Sequence, residues 1–350
     1  MTAEPQFAWS RFTVFTFEEG RVVAENAASG ARVAIQSERL AQFLAGHPHP
    51  SRDALIDGLE KRGFAESSSE SNDSVLDDWI KRGWRRSLEY YLWSERVLFA
   101  DWDDHTNAQR NAVMADVAQQ RPVPRRREPA RDGRRVELPA PGLPDERDVG
   151  DTLLNRRTIR SFAQAELTAQ TLSAILWFGL ESTRESRRRG GAEPPAVLET
   201  FGVGFDFAVI TYSVSGIEEA VWDLDLLGNV LIRRRAMPLR RRMVDLMCGM
   251  PAALSANATV VLLADFDQWR YRYRHERALR NLYIEAGRIG QALIFAAEAF
   301  GCGCLITPAT HDRELAALLG VDSPRFAPVY TITFGQKKPG RDSPSPISGL

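Results

Sequence analysis

Residues 156–162 read RRTIRSF and place three arginines within five positions. A guanidinium is permanently charged, and its forked donors match the oxygens of a phosphate. In an extended conformation, one side of the stretch carries Arg156, Thr158 and Arg160, and the other carries Arg157 and Ile159. The pattern predicts either a grip for a phosphate with a polar tail or a solvated basic loop.

A second cationic stretch, FGQKKPGR, occupies residues 334–341 and directly follows an apolar, β-branched segment that predicts a strand. It contains the chain's only pair of adjacent lysines, Lys337 and Lys338. The stretch is interpreted either as a charged tail or as a second set of cations for the same phosphate.

Residues 283–306, YIEAGRIGQALIFAAEAFGCGCLI, predict a helix with a stripe of small residues, followed by a Gly-Cys-Gly-Cys turn. Two thiols without a neighbouring histidine are too few for a structural zinc site, so no metal is expected. Glycines at 301 and 303 would let the backbone pass close to a flat ligand, or would simply end the helix.

Residues 270–277, RYRYRHER, place phenols and a histidine among cations. Cations favour the phenolate and so lower the pKa of a tyrosine, which would suit Tyr271 or Tyr273 for proton transfer. The alternative interpretation is a basic helix start.

Composition limits the classes of function. The chain has 350 residues, a formal net charge of -1 and 26% charged residues, so no global field favours nucleic acid or an acidic membrane. No apolar run approaches the roughly 20 residues that span a bilayer, and the N-terminus lacks the pattern of a secretory signal. Three cysteines without a disulfide framework fit a reducing compartment, and a cytoplasmic location is expected.

The elements that would position these stretches predict an α+β fold. Strands are predicted at 205–212, 259–264 and 329–334, and a long helix runs from about 276 to 300. Thr168 is the predicted N-cap of a helix that follows RRTIRSF, and a short helix ends just before that stretch.

The N-terminal part predicts a separate module. Residues 11–17 and 31–37 alternate as strands do, and two short helices follow at 38–46 and 51–64. We expect three segments: a winged-helix-like module that binds a peptide or partner (1–74), an aromatic-rich helical connector with a Pro/Arg-rich linker (75–148), and a C-terminal domain (149–350).

In order and spacing, the four stretches resemble the nitroreductase-like flavoprotein superfamily over residues 149–338. The resemblance implies a central sheet flanked by helices, a long central helix and bound FMN. RRTIRSF resembles the loop that holds the FMN phosphate and ribityl chain, and residues 285–291 resemble the E-A-G-x-x-x-Q helix. The cofactor-binding residues implied are Arg156, Arg157, Thr158, Arg160, Gly190, Gly191, Gln291, Gly301, Gly303, Lys337 and Lys338.

Within that superfamily the chain most resembles SagB-type dehydrogenases, which oxidise azoline rings to azoles in ribosomally made precursor peptides. The resemblance implies a precursor-peptide substrate, a cyclodehydratase or other maturation enzyme as partner, and a homodimer with shared flavin sites. The N-terminal module would bind the peptide or the partner enzyme.

The chain departs from that pattern at the catalytic Lys-Tyr pair. The corresponding positions hold Tyr273 and Arg274, or Arg270 and Tyr271 after a shift of three residues. Arginine is a poor base, which leaves Tyr271 or Tyr273 as the proton acceptor. The Pro-Ser-x-Gly-Ala loop is recognisable only as residues 188–199.

These features leave three hypotheses open. The leading one is an FMN-dependent dehydrogenase or oxidase that acts on a precursor peptide. The second is a general NAD(P)H-dependent nitroreductase or flavin reductase, which the additional N-terminal module disfavours. The third is a catalytically degenerate relative that docks the peptide.

Overall fold

The computed structural model describes residues 9–27, 29–38, 40, 52–64, 74–96, 103, 105–106, 108–122, 124–130, 133–144, 149–190, 202, 204–321 and 325–339. Contacts divide the chain into two compact units, Met1–Trp102 and Asp103–Leu350. None of the helices in the described part of the chain combines the length and apolarity that a bilayer span requires.

The first unit contains an antiparallel sheet in the order β1-β2-β3, packed on a small core that includes Ala24, Ile35, Leu59 and Phe64. Its elements are β1 (Thr13–Glu18), β2 (Arg21–Asn26), β3 (Arg32–Ile35), α1 (Arg52–Lys61), α2 (Ser74–Lys81) and α3 (Arg85–Glu95). Two strands and α1 agree with the sequence prediction, whereas β2 was not predicted. Most of the helix predicted at 38–46 lies outside the described residues.

The second unit is built on an antiparallel sheet of seven strands, counted over the described residues, in the order β4-β7-β6-β5-β8-β10-β9. The strands are β4 (Arg135–Glu137), β5 (Phe205–Thr211), β6 (Ala220–Asp225), β7 (Val230–Ala236), β8 (Ala258–Asp265), β9 (Cys302–Thr307) and β10 (Phe326–Gln336). The three strands predicted for this unit are confirmed as β5, β8 and β10. The mixed α+β class is likewise confirmed.

Helices cover both faces of this sheet. They are α4 (Ala108–Gln120), α5 (Val149–Asn155), α6 (Ala169–Gly179), α7 (Glu181–Gly190), α8 (Arg240–Leu246), α9 (Phe266–Arg272), α10 (Ala278–Ala299) and α11 (Asp312–Leu318). On one face, the first core includes Leu176 of α6 and Leu293 of α10. On the other, the second core includes Met243 of α8 and Leu315 of α11.

Helix α10 confirms the predicted long central helix. Its buried residues recur at three- and four-residue spacing, so one face packs on the sheet and on α6. The two helices approach closely at Gly179, where a Cβ would lie 2.9 Å from the Cα of Leu293. Helix α6 begins at Thr168, whose side chain accepts a hydrogen bond from the Thr171 amide, as predicted for an N-cap.

The predicted Gly-Cys-Gly-Cys turn is wrong beyond its first residue. Gly301 makes the turn, with φ of +73°, but Cys302 already begins β9. The strand pairs along β10, with Gly303 opposite Gly335. Pairing with a neighbouring strand therefore overrides the local preference of glycine for turns.

Part of the Pro/Arg-rich linker, residues 121–122 and 124–130, lies on the second unit and is called the strap. Arg127 forms an ion pair with Asp223 at 2.7 Å and donates to the Leu319 carbonyl at 2.9 Å. Asp223, only 3% exposed, also accepts from the Ala130 amide and pairs with Arg234. The strap is thus fixed to the sheet by one buried carboxylate shared between two arginines.

Candidate functional site

The clamp loop, residues 156–162, runs along the free edge of β9. Thr158 forms a parallel bridge with Cys304, and the Ile159 amide donates to the Cys304 carbonyl at 2.8 Å. Ile159 packs against the second core, on the side of the loop that faces the sheet. The flanking residues Thr158 and Arg160 are exposed.

Buried contacts hold the C-terminal end of the clamp loop. Phe162 is fully buried, and its amide donates to Ser255 Oγ at 2.9 Å. The next amide, that of Ala163, donates to the Gln336 carbonyl at the end of β10. Buried contacts therefore hold the loop in place, and it is not a loosely solvated segment.

The three arginines of the loop differ in their contacts. Arg157 donates to the carbonyls of Leu154 and Arg156 at 2.6 and 2.9 Å, so its guanidinium is turned back onto its own chain. The guanidinium groups of Arg156 and Arg160 bond to no residue that the structure describes. Two forked cations thus remain available for an anion, while Arg157 serves as a brace.

The two lysines after β10 also differ. Lys338 Nζ donates to Ser161 Oγ at 2.7 Å, which brings a third cation to the clamp loop. Lys337 instead forms an ion pair with Glu298, a carboxylate that is only 5% exposed in the last turn of α10. The second set of cations therefore contributes one lysine to the loop and one to an internal pair.

Cys302 and Cys304 face the same core as α10 and are buried. Burial raises the pKa of the Cys302 thiol to about 12 and raises that of Cys304 as well, so both remain protonated at neutral pH. Among the described residues, no group of three or more His, Cys, Asp or Glu side chains is placed to hold a metal ion.

The glycines predicted to approach a flat ligand have other neighbours. A Cβ on Gly303 would lie 2.5 Å from Cγ1 of Ile159, so the clamp loop itself fills the space on that side of the glycine. Gly190 is the last residue of α7, and Gly191 lies outside the described residues. Gln291 is exposed on α10.

The stretch RYRYRHER forms the end of α9 and the connection to α10, so the alternative interpretation of a basic helix start is wrong. Arg270–Arg272 form the last turn of α9, Tyr273 is extended, and α10 begins at Ala278. Asp265 ends β8 and caps α9 by accepting from the amides of Asp267 and Gln268. A buried cap at the end of a strand, which the sequence did not reveal, starts a new helix here.

The two tyrosines have different surroundings. Tyr271 is 8% exposed, packs on Val117 and Met114, and donates its hydroxyl to the Arg121 carbonyl at 3.3 Å. Tyr273 is half-buried, with its ring 4.7 Å from that of Trp269. Arg274 is exposed. Tyr271 therefore anchors α4 and the strap, and Tyr273 is the more accessible phenol.

The clamp loop and the predicted catalytic residue Tyr273 lie at opposite ends of α10. Glu298 and Lys337 mark the end near the clamp loop, whereas Tyr273 precedes the first turn. The 22 residues of the helix rise about 33 Å. Within one chain, the structure does not bring the two predicted sets together.

Asn257 escaped sequence reasoning because it carries no local signal, whereas Glu285 belongs to the E-A-G-x-x-x-Q motif and only its partner was unforeseen. Asn257 is 1% exposed, donates to the carbonyls of Ala165 and Ser213, and accepts from the Gln336 amide. Glu285 accepts from the Gly202 amide, and burial raises its pKa. Both roles depend on partners far away in sequence.

The fold and site define a class: the chain belongs to the nitroreductase family, whose profile matches residues 153–336. The trifolitoxin operon protein TfxC of Rhizobium leguminosarum bv. trifolii is 26% identical over 301 residues, 81% of each chain. The MJ1384 protein of Methanocaldococcus jannaschii, which carries an inferred nitroreductase name, is 26% identical over 207 residues, 59% of this chain and 98% of that protein.

A solved structure from Anabaena variabilis, also named as a nitroreductase by inference, superposes with a TM-score of 0.50 at 20% identity. It covers 59% of this chain, and the chain spans 42% of the length of that protein. The likeness supports the fold of the second unit alone.

Proposed function

We propose that the chain is an FMN-dependent oxidoreductase of the SagB type that oxidises a ribosomally made precursor peptide. The observation that carries the proposal is the clamp loop of a nitroreductase-family domain, in which Arg156 and Arg160 bond to no described residue. Family members generally use a flavin cofactor.

The chemistry of the clamp loop fits the phosphate of FMN. Arg156 and Arg160 would bind it through forked charged donors, and Lys338 and Thr158 would add an ammonium and a hydroxyl. Arg157 would support the loop from behind, since its donors already reach two carbonyls. Bound FMN would supply a hydride acceptor.

Peptide maturation is supported by the share of the chain that each relative matches. The match to the trifolitoxin operon protein extends over 81% of the chain, whereas the match to the archaeal protein covers 59%. A cyclodehydratase would form the azoline ring, and this chain would remove two hydrogens to give the azole. The first unit would bind the peptide or the partner enzyme.

Tyr273 is the better candidate for the proton acceptor. Azoline oxidation releases a proton along with the hydride, and a group near the substrate has to accept it. The hydroxyl of Tyr271 is already used by the Arg121 carbonyl, whereas the ring of Tyr273 is half-buried beside Trp269. We propose Arg274, which is exposed, as a neighbour that stabilises charge there.

A homodimer would bring the separated groups together. In one chain Tyr273 and the clamp loop lie at opposite ends of a helix about 33 Å long, so a second copy would supply one of the two sets. Large apolar side chains are exposed on α5 and α10, which contact each other: Val149, Leu153, Leu154, Tyr283 and Ile284. A monomeric mass in solution with flavin still bound would contradict the shared site.

The flavin is tested by the visible spectrum of the purified protein and by FMN titration. Arg160→Ala is expected to weaken FMN binding at least tenfold, since a hydrogen bond to a charged group contributes about 1.5–3 kcal/mol. Arg157→Ala is the matched control and is expected to change binding much less. Protein that cannot be reconstituted with any flavin would contradict the proposal.

The reaction is tested by co-expression with a candidate precursor peptide and its cyclodehydratase, followed by mass spectrometry. Each oxidation should remove the mass of two hydrogen atoms. The archaeal relative favours a second candidate, a general NAD(P)H-dependent nitroreductase or flavin reductase. Turnover of NAD(P)H with a quinone in the absence of peptide, and unmodified peptide in the co-expression, would select that alternative.

A further inference from the structure

A tyrosine outside the predicted site, Tyr330, follows an irregularity in β10. The register between β10 and β8 shifts between Pro328 and Tyr330. An extra residue in one strand re-aims the side chains next to it, and such bulges are frequent near active sites. Tyr330 lies on the face of the sheet that packs against α10, together with Ile332 and Phe334.

The ring of Tyr330 is held against the middle of α10. A Cβ on Gly290 would lie 2.6 Å from Cε1 and 3.0 Å from Cδ1 of that ring. Only glycine leaves room for the ring at this position, and the neighbouring Gln291 is exposed. At Gly290, the stripe of small residues on α10 therefore accommodates the ring of Tyr330.

The hydroxyl of Tyr330 lacks a partner among the residues that the structure describes, although the side chain is half-buried. Burial alone raises its pKa, with no contribution from a charge or a hydrogen bond. The phenol therefore stays protonated at neutral pH and is a donor in need of an acceptor.

Tyr330 is connected to the clamp loop through two paired strands. Thr158 bridges Cys304, and Cys304 pairs with Phe334, which lies four residues after Tyr330 in β10. Two strand spacings and four residue rises then separate the Cα atoms of Thr158 and Tyr330 by about 16 Å. Arg156 also acts electrostatically on Cys304, so the loop's charge reaches the same face of β9 as Tyr330 occupies on β10.

We propose that Tyr330 lines the flavin site of its own chain and donates a hydrogen bond to an acceptor atom of the isoalloxazine ring. The inference rests on the proposed binding of FMN at the clamp loop. It assigns Tyr330 a role in holding and tuning the cofactor, which is separate from proton acceptance by Tyr273. Gly290 is the residue that positions the ring.

The test uses the full chain reconstituted with FMN and compares four variants. Tyr330→Phe removes only the hydroxyl and is expected to weaken FMN binding about fivefold, the effect of one neutral hydrogen bond. It should also shift the visible spectrum of the bound flavin and its reduction potential, and leave the unfolding midpoint unchanged. Gly290→Ala should displace the ring and weaken binding at least as much.

Gly287→Ala is the matched control for Gly290→Ala, because it makes the same change on the same helix where no atom lies within 4 Å of the new Cβ. It should bind FMN as the wild type does. Wild-type spectra, potential and affinity in Tyr330→Phe would overturn the inference. If Tyr330→Phe has no effect but Arg160→Ala weakens FMN binding, the proposed FMN site at the clamp loop stands and the role of Tyr330 is wrong. If the wild-type protein binds no flavin, both proposals are wrong.

Discussion

The substitution Gly303→Ala tests whether the clamp loop depends on contact with β9. The new Cβ would lie 2.5 Å from Cγ1 and 2.9 Å from Cβ of Ile159, against an ordinary contact of 3.4–4 Å. Ile159 has to retreat by about 1 Å, and because its Cβ is involved the backbone has to move too, which costs about 1–3 kcal/mol. The bridge between Thr158 and Cys304 should weaken, and Arg160 should lose its alignment.

We expect Gly303→Ala to lower the free energy of unfolding by about that amount and to weaken FMN binding severalfold. Denaturant unfolding and flavin fluorescence titration measure the two effects. A double-mutant cycle with Ile159→Ala supplies the control, because the smaller side chain makes room for the new methyl group. Additive effects in that cycle, or a Gly303→Ala protein identical to wild type, would refute the packing argument.

Three further predictions follow from burial and hydrogen bonding. Tyr271→Phe should lower the free energy of unfolding by about 1 kcal/mol and leave the rate of peptide oxidation nearly unchanged. Tyr273→Phe should lower the rate of peptide oxidation and leave the free energy of unfolding unchanged. The reverse pair of results would exchange the roles of the two tyrosines. Iodoacetamide at pH 8 should alkylate exposed Cys248 and spare Cys302, whose pKa is about 12 and which is buried. Burial raises the pKa of Glu285, so the folded chain binds a proton on this carboxyl more tightly than the unfolded chain does. The protonated carboxyl therefore stabilises the fold at low pH, and this stabilisation should be lost as the pH rises through the folded pKa. In thermal melts across pH, Glu285→Gln should flatten that loss.

Much of the fold could be predicted from local pattern. The β-branched run of β8 and the long periodic face of α10 were identified with bounds close to those observed. The N-cap at Thr168 was also correct, because a cap is a local hydrogen bond. Strand β2 was missed because its apolar residues Val22, Val23 and Ala24 follow one another instead of alternating.

The candidate site was only partly predictable. The composition of residues 156–162 left a phosphate grip and a solvated basic loop both open, and alternation in an extended stretch put Arg157 and Arg160 on opposite sides. The structure shows why they differ: the carbonyls of Leu154 and Arg156 engage Arg157, whereas Arg160 bonds to no residue that the structure describes. The same holds for Lys337 and Lys338, which differ by whether a buried carboxylate lies within reach.

The sequence by itself determined the class of fold, the family and the stretch that carries the positive charge. The fold class and the charged stretch follow from periodicity and side-chain chemistry, which are local, and the family follows from the resemblance of the motifs. The tertiary structure alone decided that Gly303 accommodates Ile159, that Tyr271 is an anchor, and that the ring of Tyr330 packs against Gly290 of α10. Each of these depends on which strand or helix becomes a neighbour, and long-range packing sets that choice.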